Sequence, residues 1–152
     1  MGKFEDASLL YDQERFSDAF ELFLELANSG DASACSNIAR MLADGCGTSR
    51  DVKKSMEWDL KAIALGETSS MINLAITLRW LGRTREARRW LEQAVRAGDD
   101  EALLELARLL DVSDYERQSV IALLQQAKNS PKITDVTRAD VLAFVNEIQR
   151  RT

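Results

Sequence analysis

The chain has 152 residues, 45% of them hydrophobic and 30% charged, with a net charge of −5. That is one domain's length with enough apolar surface to offset the entropy of ordering it, which excludes a disordered chain. No apolar run approaches the roughly 18 residues of a membrane span. The opening Met1-Gly2-Lys3-Phe4-Glu5-Asp6 is acidic where an export signal is basic and then apolar, so a cytoplasmic protein is expected. There is no histidine, which removes His-based catalysis and most zinc sites. One proline and seven glycines leave little punctuation for a many-turned β fold, and an all-α chain is expected. Cys35 and Cys46 form neither a disulfide framework nor a four-ligand metal set.

The predicted elements follow a long period. Gly30, Gly66 and Gly98 each close an amphipathic stretch, at intervals of 36 and 32, and a further 32 reaches Ser130. The chain therefore divides into units at 1–30, 31–66, 67–98 and 99–130, each read as two helices. In the first unit Ala7 and Leu10 fit the pattern, while Asp6 stands where the other units have Ile or Leu, and Ser17 is placed to cap the second helix. The second unit predicts helices over about 32–44 and 52–65, joined by Gly45-Cys46-Gly47-Thr48-Ser49-Arg50-Asp51. The third has a short connection, Leu81 to Ala87, and in the fourth Ser113-Asp-Tyr-Glu116 has the spacing of a capping box. A last helix over about 135–151, with Val136, Leu142, Val145 and Ile148 at helical spacing, is expected to cap the array.

Aligned on the marks, the first helices share columns of Ala34, Ser70 and Ala102; Ile38, Leu74 and Leu106; Ala39, Ala75 and Ala107; and Leu42, Leu78 and Leu110. The second helices share small Ala19, Ser55, Ala87 and Ser119, then Leu22, Trp58, Trp90 and Ala122, then Leu26, Ala62, Ala94 and Gln126. Trp58 and Trp90 are thus expected in the core. Small and large positions three or four residues apart are what closely packed helices require.

The second unit carries Ala34, Ile38, Ala39, Leu42, Gly45-Cys46-Gly47, Asp51, Lys54-Ser55, Trp58, Ala62 and Gly66. It resembles the Sel-one-like repeat, a relative of the tetratricopeptide repeat. The flanking units keep the helix columns but lack the Gly-x-Gly loop, and the short third connection looks like the tetratricopeptide variant. The resemblance implies about nine helices in a right-handed α/α superhelix (solenoid), four helix–turn–helix repeats and a cap, as one domain.

Charge is segmental. Residues 1–31 hold eight acids against two bases, residues 79–96 six arginines against two glutamates, and residues 99–116 seven acids against Arg108. Exposed acids at helix starts complement the dipole and offer no paired acid–base geometry, while Gly45-x-Gly47 is too short for a dinucleotide loop. No catalytic residue, metal or cofactor is assigned, and a non-catalytic module is expected.

What remains is a concave face lined by the first helix of each repeat. Its positions outside the core columns are Tyr11; Ser33, Ser36, Asn37 and Arg40; Asn73, Ile76, Arg79 and Trp80; and Glu101, Leu104, Glu105 and Arg108. In related tetratricopeptide grooves first-helix asparagines hold a peptide's main chain, and Asn37 and Asn73 fall close to that position; plain solvation is the alternative. Arg40 and Arg108 are placed either to meet a partner's carboxylates or to pair within the chain with Asp44 or Glu105. Trp80 lies outside the core columns, as a surface contact or packed on the preceding repeat's longer loop. The expected function is binding of a protein partner through this face by a monomeric, self-contained chain. An adaptor or an immunity protein that neutralises a basic toxin fits the acidic charge. The alternative is single-stranded nucleic acid on Arg79, Arg83, Arg85, Arg88, Arg89 and Trp80, which the acidic flanks oppose.

Overall fold

The computed structural model describes residues 2–110 and 117–150, and among these it places nine helices and no strand. They are α1 (Lys3–Asp12), α2 (Phe16–Asn28), α3 (Ala32–Asp44), α4 (Val52–Ala64), α5 (Ser69–Trp80), α6 (Thr84–Arg96), α7 (Ala102–Leu110), α8 (Arg117–Asn129) and α9 (Asp135–Arg150). Each helix packs chiefly on its sequence neighbours. In addition α3 touches α5 and α5 touches α7, so the first helices form the tighter layer, the inside of a curved stack.

The first-helix columns are buried as the periodicity requires. Ala34, Ser70 and Ala102 are fully enclosed, and Ile38, Leu74, Leu106, Leu42, Leu78 and Leu110 fill the space between hairpins. Gly30, Gly66 and Gly98 all have positive φ, at 96°, 97° and 87°, the left-handed turn that ends a helix and redirects the chain.

Several local expectations shift. The helix after residue 15 begins at Phe16, with Arg15 at its cap and no side-chain cap bond, so Ser17 lies inside the first turn. Side-chain caps are instead supplied by Asp31, accepting from the Ala34 N–H at 2.8 Å, by Asp51, accepting from the Lys54 N–H at 3.0 Å, and by Thr134, accepting from the Thr137 N–H at 3.1 Å. The Ser113–Glu116 segment lies outside the described residues.

Trp58 and Trp90 are only half-buried; the position one residue on is the enclosed one, holding Phe23, Asp59 and Leu91. In α8 the buried positions fall beside the aligned columns: Val120 and Leu124 are buried while Ser119, Ala122 and Gln126 are exposed, and Ala127 is buried like Ala27. The cap docks through Val141 and Ile148 with half-buried Phe144 and Val145. That stripe turns Val136 and Leu142 outward, to 75% and 43% exposure.

The longer second loop has a packing role. Gly45 ends α3 in the left-handed region, and the loop returns donors to α3's last carbonyls, Cys46 N–H to Met41 and Asp51 N–H to Leu42, both 2.9 Å. Gly47, at φ +73°, lies against the start of α2 so closely that a Cβ would sit 2.2 Å from the Phe16 carbonyl oxygen. The second glycine of Gly-x-Gly thus lets one repeat's loop lie on the previous repeat's backbone.

The core is in two parts. One cluster runs from Ala7 to Ala62 and the other from Met71 to Ile148. Where the chain passes from one cluster to the other, α4 and α5 also bury three polar residues, Ser55, Asp59 and Ser70.

Gly47→Ala is expected to destabilise the fold by about 2–4 kcal/mol, because backbone clash adds to left-handed strain. Gly30→Ala, with open space around its Cβ position, should cost only about 1–2 kcal/mol. Urea unfolding of both variants checks the contrast, and equal losses would remove the close-approach role of Gly47.

Candidate functional site

The inner face divides into a polar cleft, a short apolar stretch and an ion-pair ladder. The cleft, of about 300 Å³, is lined by Ser33, Ser36, Asn37 and Arg40 of α3, by Glu67 and by Ser69 and Asn73 of α5. It exists because the outward positions of α3 and α5 carry small polar side chains while their alternate positions are buried in the columns. Two hydrogen bonds cross it between repeats: Ser33 Oγ donates to Glu67 Oε2 at 2.8 Å, and Asn73 Nδ2 donates to Ser36 Oγ at 3.3 Å.

Four of the expected positions, Ser36, Asn37, Arg40 and Asn73, meet in this cleft. Asn37 Nδ2 donates to the Ser33 carbonyl at 2.9 Å, and its Oδ1 accepts from Arg40 Nη2 at 2.9 Å. The guanidinium also lies 5.2 Å from the centre of the Tyr11 ring, which is itself held edge-on by Phe16. Arg40 is exposed and makes no ion pair among the described residues, so neither a bond to Asp44 nor one to Glu105 uses it up. Burial raises the Tyr11 hydroxyl's pKa against the lowering influence of Arg40. Tyr11 thus extends the cleft towards the first repeat as a neutral phenol.

Below the cleft, Ile76 is half-buried and Trp80 is 82% exposed at the end of α5. Trp80 therefore does not pack on the preceding loop. An aromatic ring this open is unusual for a residue with so large an apolar surface.

The ladder follows. Arg79 Nη1 meets Glu105 Oε2 at 3.0 Å, Arg108 Nη1 meets Glu105 Oε1 at 2.7 Å, and Arg108 Nη2 reaches Asp140 at 3.1 Å. Arg108 and Glu105 are consequently engaged within the chain, unlike Arg40. Glu101 is drawn off the face too, its carboxylate accepting from Thr134 and Thr137 at the start of α9. Leu104, expected on the groove, is buried at 4% exposure. It belongs to the second core cluster, on a helix packed by both α6 and α8.

The arginine cluster of α5–α6 is likewise divided. Arg79 pairs with Glu105, Arg83 with Glu86 at 2.7 Å and Arg88 with Glu92 at 2.8 Å, while Arg85 and Arg89 stand exposed.

These features define a helical-repeat solenoid with a solvent-open inner face, of the Sel1-like and tetratricopeptide-like kind. A tetratricopeptide-repeat family model matches residues 68–97, which are α5 and α6. Among solved structures, the chain is similar to a Sel1 repeat protein from Oxalobacter formigenes, with a TM-score of 0.67 at 18% identity over 83% of this chain and 56% of that one. It is also similar to a protective antigen of uropathogenic Escherichia coli strains displaying an SLR fold. There the TM-score is 0.71 at 17% identity, over 96% of this chain and 34% of that one. The chain thus spans little more than half the length of the first and about a third of the second. No curated protein matches it. Among the described residues no helix is long and apolar enough to cross a membrane.

Glu105 joins two arginines with its side chain only 14% exposed. Glu105→Ala is therefore expected to destabilise the chain by about 1–3 kcal/mol, through loss of charge-assisted bonds in a partly desolvated site. Removing the exposed Arg15–Asp18 pair (58% and 52% exposed) by Arg15→Ala should change stability by less than about 0.5 kcal/mol. Chemical denaturation of the two variants measures both.

Proposed function

We propose that this chain is a non-catalytic protein-binding module whose inner face takes a segment of a partner protein, anchored at Trp80 and oriented by Arg40, Asn37 and Asn73. What supports this reading is an 82% exposed tryptophan at the end of one first helix and, on the first helix before it, an arginine without an ion pair among the described residues. Tryptophan and arginine are the residue types that most often dominate binding energy at interfaces. In this reading Arg40 donates to a partner carboxylate or carbonyl, and the asparagines offer both donors and acceptors to an extended main chain. Ser36 and Ile76 line the path between them, Tyr11 backs Arg40, and Arg79, Glu105 and Arg108 form its charged, self-paired end. Adaptor and immunity roles use the same face and differ in the partner captured. The acid-rich first repeat favours a basic partner and faster association at low salt.

Wild-type protein used as bait in lysate of the encoding organism is expected to retain one stoichiometric protein. With that partner purified, Trp80→Ala should weaken binding by at least about 30-fold and Arg40→Ala by about 10-fold, measured by calorimetry. Gln93→Ala, at an exposed position of α6, should leave it unchanged. Retention of nucleic acid alone, or equal affinity of all three variants, would overturn the reading.

A further inference from the structure

Three buried polar residues of α4 and α5 stand where the adjoining repeats carry alanine or a large apolar side chain. Ser55 stands with Ala19 and Ala87, Ser70 with Ala34 and Ala102, and Asp59 with Phe23 and Leu91. Each is at most 1% exposed, and among the described residues Ser55 Oγ, Asp59 Oδ1 and Ser70 Oγ find no hydrogen-bond partner. Unsatisfied buried polar atoms are costly, and three at one junction leave that junction the weakest in the stack. Among the described residues of α4, the half-buried Met56 and Ile63 pack against the far cluster. In a repeat array each unit is held by its neighbours alone, so a weak junction localises opening there.

The same junction underlies the polar cleft. α3 and α4 belong to one repeat and α5 to the next, and the Ser33–Glu67 and Ser36–Asn73 bonds span it. We propose that the Ser55–Asp59–Ser70 cluster makes the α4–α5 junction a proton-controlled hinge: a neutral Asp59 carboxyl locks α5 onto α4, and its ionisation draws water in and loosens the register of the cleft. As a control of partner binding this rests on the groove reading above; as a property of the fold it does not.

Among the described residues no charged group compensates Asp59. On its own helix Lys53, Lys54, Glu57 and Lys61 are exposed, with Lys54 on Asp51 and Lys61 over the Trp58 ring. On α3, Cys35 points to the Ala27 carbonyl, Arg40 to Asn37, and Asp44 is exposed; on α5 the single ionisable residue, Arg79, is bound to Glu105. Burial pushes the carboxyl up to about 7, with only the Ser70 hydroxyl near enough to lower it, and that hydroxyl makes no bond of good geometry. The sign follows from linkage: in the open state the carboxyl returns to its ordinary value of 3.8. The lock is therefore complete below that value, weakens as pH rises, and is fully lost above about 7.

Hydrogen exchange of the full chain without any partner, at pH 5.5 and 8.5 and corrected for intrinsic rates, tests this. In wild type, residues 52–64 and 69–80 should lose at least about ten-fold more protection at the higher pH than residues 16–28. In Asp59→Asn and Asp59→Leu that differential should vanish. A differential kept in both variants, or a loss of protection uniform along the chain, would overturn the hinge. Because no partner is present, such a failure leaves the groove reading standing, and failure to find a partner leaves the hinge standing.

Discussion

A helical hairpin can bury only one stripe of each helix against its own partner; the remaining apolar surface has to be covered by the next hairpin. The whole chain depends on that contact between successive repeats. It explains why alanine recurs where helices approach most closely, at Ala34, Ala75, Ala87 and Ala102, and why leucine and isoleucine recur a turn away. It also explains the ends. α9 supplies Val141 and Ile148 to a surface that would otherwise face water, and Ser130, bonded to Asp100 at 2.7 Å, fixes the turn that brings it there.

Where the contact is polar rather than apolar, the same dependence turns into a point of give. Asp59 occupies a position that in the adjoining repeats is filled by Phe23 and Leu91, with the Ser70 hydroxyl near it and Ser55 one turn earlier on its own helix. A chain selected only for stability has no need of this arrangement, since an apolar side chain of similar volume would remove the desolvation cost. Its location at the base of the polar cleft joins the mechanics of the stack to the shape of the inner face.

The inner face is graded along its length by how its charges are used. Towards the C-terminal end Arg79, Glu105, Arg108 and Asp140 neutralise one another and rigidify α5 against α7 and α9. Near the middle Arg40 rests on an aromatic ring and an amide and keeps its charge available, and Trp80 keeps its ring in solvent. Fixed ion pairs contribute order, whereas uncommitted donors and an open indole are what a second molecule can engage.

The repeat period, the helix pairs and most buried columns were legible in the residues, because spacing of small and large apolar side chains states directly which face of a helix is covered. The helices of the second unit lie where the periodicity puts them, and the candidate positions Ser36, Asn37, Arg40 and Asn73 converge because one helix face carries them at three- and four-residue steps. Residue type misled where rotation by one position mattered. Trp58 drew the core reading away from Asp59, Leu104 turned inward, Val136 and Leu142 turned outward, and α8 buried Val120 and Leu124 beside the aligned columns. Which arginine is paired, that Gly47 abuts the Phe16 carbonyl, and that three orphaned polar groups meet between two cores were decided by the tertiary structure alone. They involve residues distant in sequence or separated by less than a helical turn's uncertainty, and only the packing of one repeat on the next determines which of them touch.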